Sequence, residues 1–136
     1  MRCHHLLLIF AAWAFGGLPD SVRAHHSVLA FDGTQGTTIE GTVRRILRVN
    51  PHTEIIVDVA QEDGTIETWR VESESASLLN RLGWEDDAIE AGHLLRVIGA
   101  RAKNGATALR CKLIELEDGR ILPCFPGATE ESGRGQ

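Results

Sequence analysis

The chain has 136 residues, of which 43% are hydrophobic, 24% charged and 5% aromatic, the balance of one ordinary globular domain with no room for a second catalytic one. Fourteen Lys and Arg against nineteen Asp and Glu leave a net charge of −5. The basic residues form no long cluster, so the electrostatic footprint of a nucleic-acid binder is missing.

Residues 1–24 read as a secretory signal. Arg2 with His4 and His5 makes the n-region, Leu6 to Leu18 is a 13-residue apolar stretch, and Val22-Arg23-Ala24 ends it with small-residue cleavage chemistry. A membrane span takes about twenty apolar residues, so this run predicts a cleaved leader, and Cys3 lies ahead of it, misplaced for lipid attachment. The expected product is periplasmic or secreted, starts at His25 and has no membrane span. Losing Arg2, Asp20 and Arg23 leaves 12 basic and 18 acidic side chains on 112 residues, a net charge of −6.

Residues 25–36 are expected to form an N-terminal arm ending in the Gly- and Thr-rich Asp32-Gly33-Thr34-Gln35-Gly36. Strand one follows at Thr37 to Val49, and the altered alternation at Arg44-Arg45 predicts a bulge. Asn50-Pro51-His52 breaks it, Pro51 holding Asn50 extended. Ile55, Val57 and Val59 alternate along strand two, Gln61 to Gly64 supplies a hairpin, and strand three covers Thr65 to Glu72 with Trp69 and Val71 inward. Ser73 or Ser75 caps a two-turn helix with Leu78, Leu79 and Leu82 on one face and Gly83 just past its end.

Strand four is expected at His93 to Arg101, and Asn104-Gly105 marks a two-residue hairpin into strand five at Thr107 to Leu116. Asp118-Gly119 repeats the device before a stub at Ile121-Leu122, and residues 125–136 read as a disordered tail. Three strands, a helix, two strands and a stub predict a mainly β fold. The specific expectation is a small OB-like Greek-key barrel of five to six strands over residues 37–124, its short helix between strands three and four.

Export leaves Cys111 and Cys124 as the two cysteines, and both a disulfide and a pair of buried thiols stay open. The bridge would contribute about 3 kcal/mol through loop entropy. Against it, a two-residue Asp118-Gly119 hairpin would set Leu113, not Cys111, opposite Cys124, unless Pro123 distorts the strand.

Chemistry concentrates in the histidines. Cleavage after Ala24 would give His25 a free α-amine that chelates together with its imidazole, His26 adds a second ring, and His52 can supply a third nitrogen if the arm crosses the barrel mouth. An all-nitrogen set selects copper(II). His93 reads as a surface or packing residue, Trp69 and Trp84 as core, Arg44, Arg45 and Arg48 as a solvated basic edge, and Glu72 and Glu74 as solvated rim. No Ser-His-Asp set, phosphate loop or dinucleotide fingerprint is present.

The motifs His25-His26-Ser27, Phe31-Asp32, Ile39-Glu40-Gly41-Thr42-Val43, Val49-Asn50-Pro51-His52, Gly83-Trp84, Gly92, Ala102-Lys103-Asn104-Gly105 and Asp118-Gly119-Arg120 resemble a bacterial exported family, the domain-of-unknown-function family 6152. The resemblance runs from His25 to about Leu122. It implies a small periplasmic single-domain protein and transfers no catalytic residue. Thr53 departs from the aromatic residue that members carry there, and the cysteine pair is not part of the shared pattern.

Three functions are therefore compared. The first is an exported module that chelates copper or another divalent metal through His25, His26 and His52. The second is a metal-independent OB-type module for a periplasmic protein, a peptide or a small ligand. A copper oxidoreductase is the weakest, because chelation by itself supplies neither a substrate surface nor a redox cycle.

Overall fold

The computed structural model of the chain describes residues 30–129, so the predicted signal and the histidine pair at 25 and 26 lie outside the described residues. The strands are β1 (Phe31–Leu47), β2 (Glu54–Ala60), β3 (Ile66–Glu72), β4 (Leu94–Ala102), β5 (Ala108–Leu116) and β6 (Ile121–Pro123). One helix, α1 (Ala76–Arg81), stands between β3 and β4. The described residues are mainly β with a single short helix, as the alternation of Ile55, Val57, Trp69 and Val71 demands; all four are buried.

β1 serves two neighbours because it is long. Its first part, from Phe31 to Thr42, runs antiparallel to β4, and its last part, from Thr42 to Leu47, runs antiparallel to β2. The register slips between Val43 and Arg45, the bulge that the Arg44-Arg45 pattern predicted. β1 also begins six residues before the expected Thr37, so Phe31 to Gly36 belong to a strand and not to the arm. Pairing with β4 overrides the weak strand preference of that stretch, and the ladder slips between Asp32 and Gly36 to accommodate it.

β3 pairs antiparallel with β2 and parallel with β5, Arg70 to Glu72 lying beside Ala108 to Arg110. Pairings therefore run in a circuit, β1 to β2 to β3 to β5 to β4 and back to β1, with β6 added to the far part of β5. Inside lie Val43, Ile55, Val57, Val71, Val97, Leu109 and Ile114, each at most 1% exposed. α1 starts at Ser75, whose hydroxyl accepts from the Leu78 amide, and it turns the fully buried Leu79 into this core. Burying one leucine in this way contributes about 1.5–3 kcal/mol. Among the described residues no helix is long and apolar enough to cross a membrane.

Two turns differ from expectation. β4 and β5 are joined by residues 103–107, longer than a two-residue Asn104-Gly105 hairpin. After β5 the Leu116 amide donates to the Arg120 carbonyl, so the loop holds three residues, with Gly119 in the left-handed region at φ +84°. That one added residue sets Leu113 opposite Pro123 and brings the Cys124 amide onto the Lys112 carbonyl, next to Cys111. Cys111 and Cys124 are disulfide-bonded, with Cα atoms 5.7 Å apart.

Candidate functional site

The Asn50-Pro51-His52 corner, whose Asn50–Pro51 peptide is cis, delivers His52 to the start of β2. The β2–β3 ladder continues past the strand ends there: the Thr53 amide donates to the Glu74 carbonyl at 3.0 Å, and the Ser73 amide to the Thr53 carbonyl at 2.9 Å. His52 thus faces the end of β3. The parallel β3–β5 pair sets Arg110 beside Glu72, completing the group.

The Arg110 guanidinium is the hub. Its Nη1 donates to Glu72 Oε1 at 2.8 Å and lies 3.1 Å from His52 Nδ1, while its Nη2 donates to Glu74 Oε1. His52 Nδ1 is also 3.2 Å from the Ser73 carbonyl oxygen and 3.7 Å from Glu72 Oε1. The side chains of Glu72, Arg110 and His52 are 11%, 16% and 22% exposed, so these charges meet largely out of water, where they are weakly screened. Among the described residues two polar side-chain atoms are buried with no hydrogen bond, His52 Nε2 and Thr53 Oγ1.

Beside this group opens a cleft of about 410 Å³, lined among others by Phe31, Glu74, Arg110, Lys112, Phe125 and Pro126. The Cys111–Cys124 bridge ties the Phe125-Pro126 wall to β5. Phe31, at the start of β1, is one wall of this cleft. A second hollow of about 390 Å³ lies around His93, Leu94 and Leu116, but its titratable side chains, His93, Glu117, Asp118 and Arg120, are all exposed.

His52 is therefore placed in a polar group, but not with the residues first paired to it, since His25 and His26 lie outside the described residues. Glu72, expected on a solvated rim, is 8% exposed, because β5 and the corner cover it. Arg110 was missed: it interrupts the apolar run of β5, and only that interruption signalled a buried task. Arg44 and Arg45 are exposed, as a solvated edge should be, Arg44 pairing with Asp58 at 2.8 Å, whereas Arg48 is partly covered and donates to the Glu85 and Asp86 carbonyls. Trp84 and Trp69 are buried as expected, their indole N–H groups donating to the Pro123 carbonyl and to Glu67. Among the described residues no three His, Cys, Asp or Glu side chains converge as a cation site.

A family model matches residues 17–110, more than half of the chain. The chain belongs to the family of unknown function DUF6152. Its matched span includes His25, His26, His52, Glu72, Glu74 and Arg110, and stops short of both bridged cysteines. A search of curated proteins finds no match.

Proposed function

We propose that this chain is a small exported protein that captures a divalent metal ion, copper(II) before others, between its processed amino terminus and His52. The observation that carries the reading is His52 Nε2, a ring nitrogen buried without a hydrogen bond. Leaving such a group unpaired costs about 1–3 kcal/mol, a cost that a bound cation removes. Two features support it. Glu72 and Glu74 set carboxylate oxygens on Arg110, and Glu72 stands next to the ring. His26 is four residues before Ala30, a tether of at most about 14 Å rooted at the cleft that Glu74 and Arg110 line. Residues 1–24 are the leader whose removal frees the His25 amine. The body that holds the site is an OB-like Greek-key barrel, a reading supported by the circuit of pairings and by a helix between β3 and β4.

Calorimetric titration of the processed protein with copper(II) tests the proposal. One ion per chain is expected, with affinity lowered at least tenfold by His52→Ala and by an extra Met ahead of His25. Equal affinity in all three proteins would remove it.

A second reading, a metal-independent module for a small ligand or peptide, is favoured by the cleft itself. Phe31, Phe125 and Pro126 supply apolar walls, and Lys112 has no ion-pair partner among the described residues. Retention of a periplasmic partner after chelator treatment, lost on substituting His52 but not His25, would select this reading.

A further inference from the structure

We infer, on the second reading of the cleft beside Arg110, that its ligand is a small free acid, a compound with one carboxylate and an aromatic or branched apolar body. Lys112 holds the carboxylate, and Phe31 and Phe125 hold the body.

Lys112 stands at a bulge of its own. Gly99 on β4 pairs with Cys111 and Ile98 with Leu113, so Lys112 has no residue opposite it on β4. The side chains record the same slip. Leu109 and Cys111 belong to the core before it and Ile114 and Leu116 after it, where strict alternation would have turned Leu113 and Glu115 inward. Inserted at this point, Lys112 lies with Arg110 outside the core, and both line the cleft. A bulge of this kind re-aims a side chain and interrupts the ladder. Here the Lys112 carbonyl accepts from the Cys124 amide at 3.0 Å, which ties the bulge to the segment carrying Phe125 and Pro126.

Charge selects the head of the ligand. Three charged residues line the cleft, Glu74, Arg110 and Lys112. Arg110 is engaged by Glu72 and Glu74, so it attracts a further anion only weakly. Lys112 has no ion-pair partner among the described residues, and its ammonium gives the cleft one uncompensated positive charge. One carboxylate matches it, whereas a doubly charged group would also be repelled by Glu74. The walls select the body. Phe31 and Ala100 are buried and Phe125 is half-buried beside them, a surface that suits a flat or branched apolar group. At about 410 Å³ the cleft is near the lower end of small-molecule sites, which span about 300–1,000 Å³, so it suits a small free acid better than a peptide.

Proton–nitrogen NMR of the full processed chain, titrated separately with phenylacetate, its uncharged amide phenylacetamide and phenyl phosphate, tests the assignment. Phenylacetate is expected to shift the amide signals of Phe31, Ala100, Lys112 and Phe125 and to bind roughly tenfold tighter than phenylacetamide, the margin of one charge-assisted bond. Lys112→Met keeps the apolar stem and should abolish that margin, while Lys112→Arg should keep it. Lys112→Gln serves the same purpose if the Met variant does not fold. Phe125→Ala should weaken acid and amide alike. Phenyl phosphate, a dianion above a pH of about 7, should bind no tighter than phenylacetate.

Equal binding of acid and amide, or a margin that survives loss of the Lys112 ammonium, overturns the inference and leaves the cleft as an apolar site under the second reading. Tighter binding of phenyl phosphate overturns the choice of a single carboxylate. If none of the three probes shifts a signal at the cleft, the small-ligand part of the second reading falls with it.

Discussion

Gly99 on β4 lies against the carbonyl of Arg110 on β5, at the point where the ladder between these strands slips by one residue. A β-carbon at position 99 would overlap that oxygen, so the backbone that aims Arg110 at Glu72 depends on the absence of a side chain across the sheet. Gly99→Ala is expected to destabilise the fold by about 2 kcal/mol, within the usual range for overpacking. It should also broaden the Arg110 side-chain NMR signals. An unchanged urea midpoint together with unchanged Arg110 signals would refute this coupling.

Removing the bridge should cost stability that grows with the logarithm of the length of the loop it closes. Cys111 and Cys124 are 13 residues apart, which in the chain-entropy model corresponds to about 3 kcal/mol. The double variant Cys111→Ser, Cys124→Ser is expected to unfold at lower urea by that amount. It should also expose Trp84, whose indole N–H donates to the Pro123 carbonyl one residue before the bridge. Tryptophan fluorescence reports both effects, and coincident urea curves for bridged and unbridged protein would contradict the expectation.

Thr53 contributes a hydroxyl that is fully buried and makes no hydrogen bond. Its methyl packs at the parity of Ile55 and Val57, so the isosteric Val removes a desolvated polar atom without opening a cavity. Thr53→Val is therefore expected to stabilise by about 1 kcal/mol. Thermal unfolding checks it, and a lowered midpoint would mean that the hydroxyl is serving a partner.

Three exposed carboxylates, Asp32 in β1 and Asp63 and Asp118 in turns, contribute to the acid behaviour. Asp32 and Asp63 each accept from the hydroxyl and the amide of the threonine two residues on, and Asp118 accepts from the amide and guanidinium of Arg120. The hydroxyl bond is the larger cause at Asp32 and Asp63 and the amide bond at Asp118, and all three carboxyls are held below their ordinary value. With folded values below the unfolded value of about 3.9, their stabilisation is complete above that pH and is lost as pH falls through each lowered value. All three are open to solvent, so the effect should shrink with added salt. Carbon-detected NMR titration should find the three values depressed, and Asp63→Asn should flatten the acid limb of the stability curve. An acid limb identical in that variant would exclude Asp63 from the effect.

The alternation of Ile55, Val57, Trp69 and Val71, the spacing of Leu78, Leu79 and Leu82, and the bulge at Arg44-Arg45 are all local signals, and each marks its element correctly. Phe31 to Gly36 have no such alternation; they are extended because β4 lies alongside, a partner about seventy residues away. The bridge turned on a loop of three residues in place of two, since one residue decides which side chain stands opposite Cys124.

By itself the sequence determined where the strands break and which apolar residues face inward, because side-chain parity and turn chemistry act between near neighbours. It also marked His52 as a residue worth watching. Only the tertiary structure decided what His52 meets. Glu72 and Arg110 come together through a parallel strand pair spanning 38 residues, and pairing at that range leaves no periodic trace along the chain.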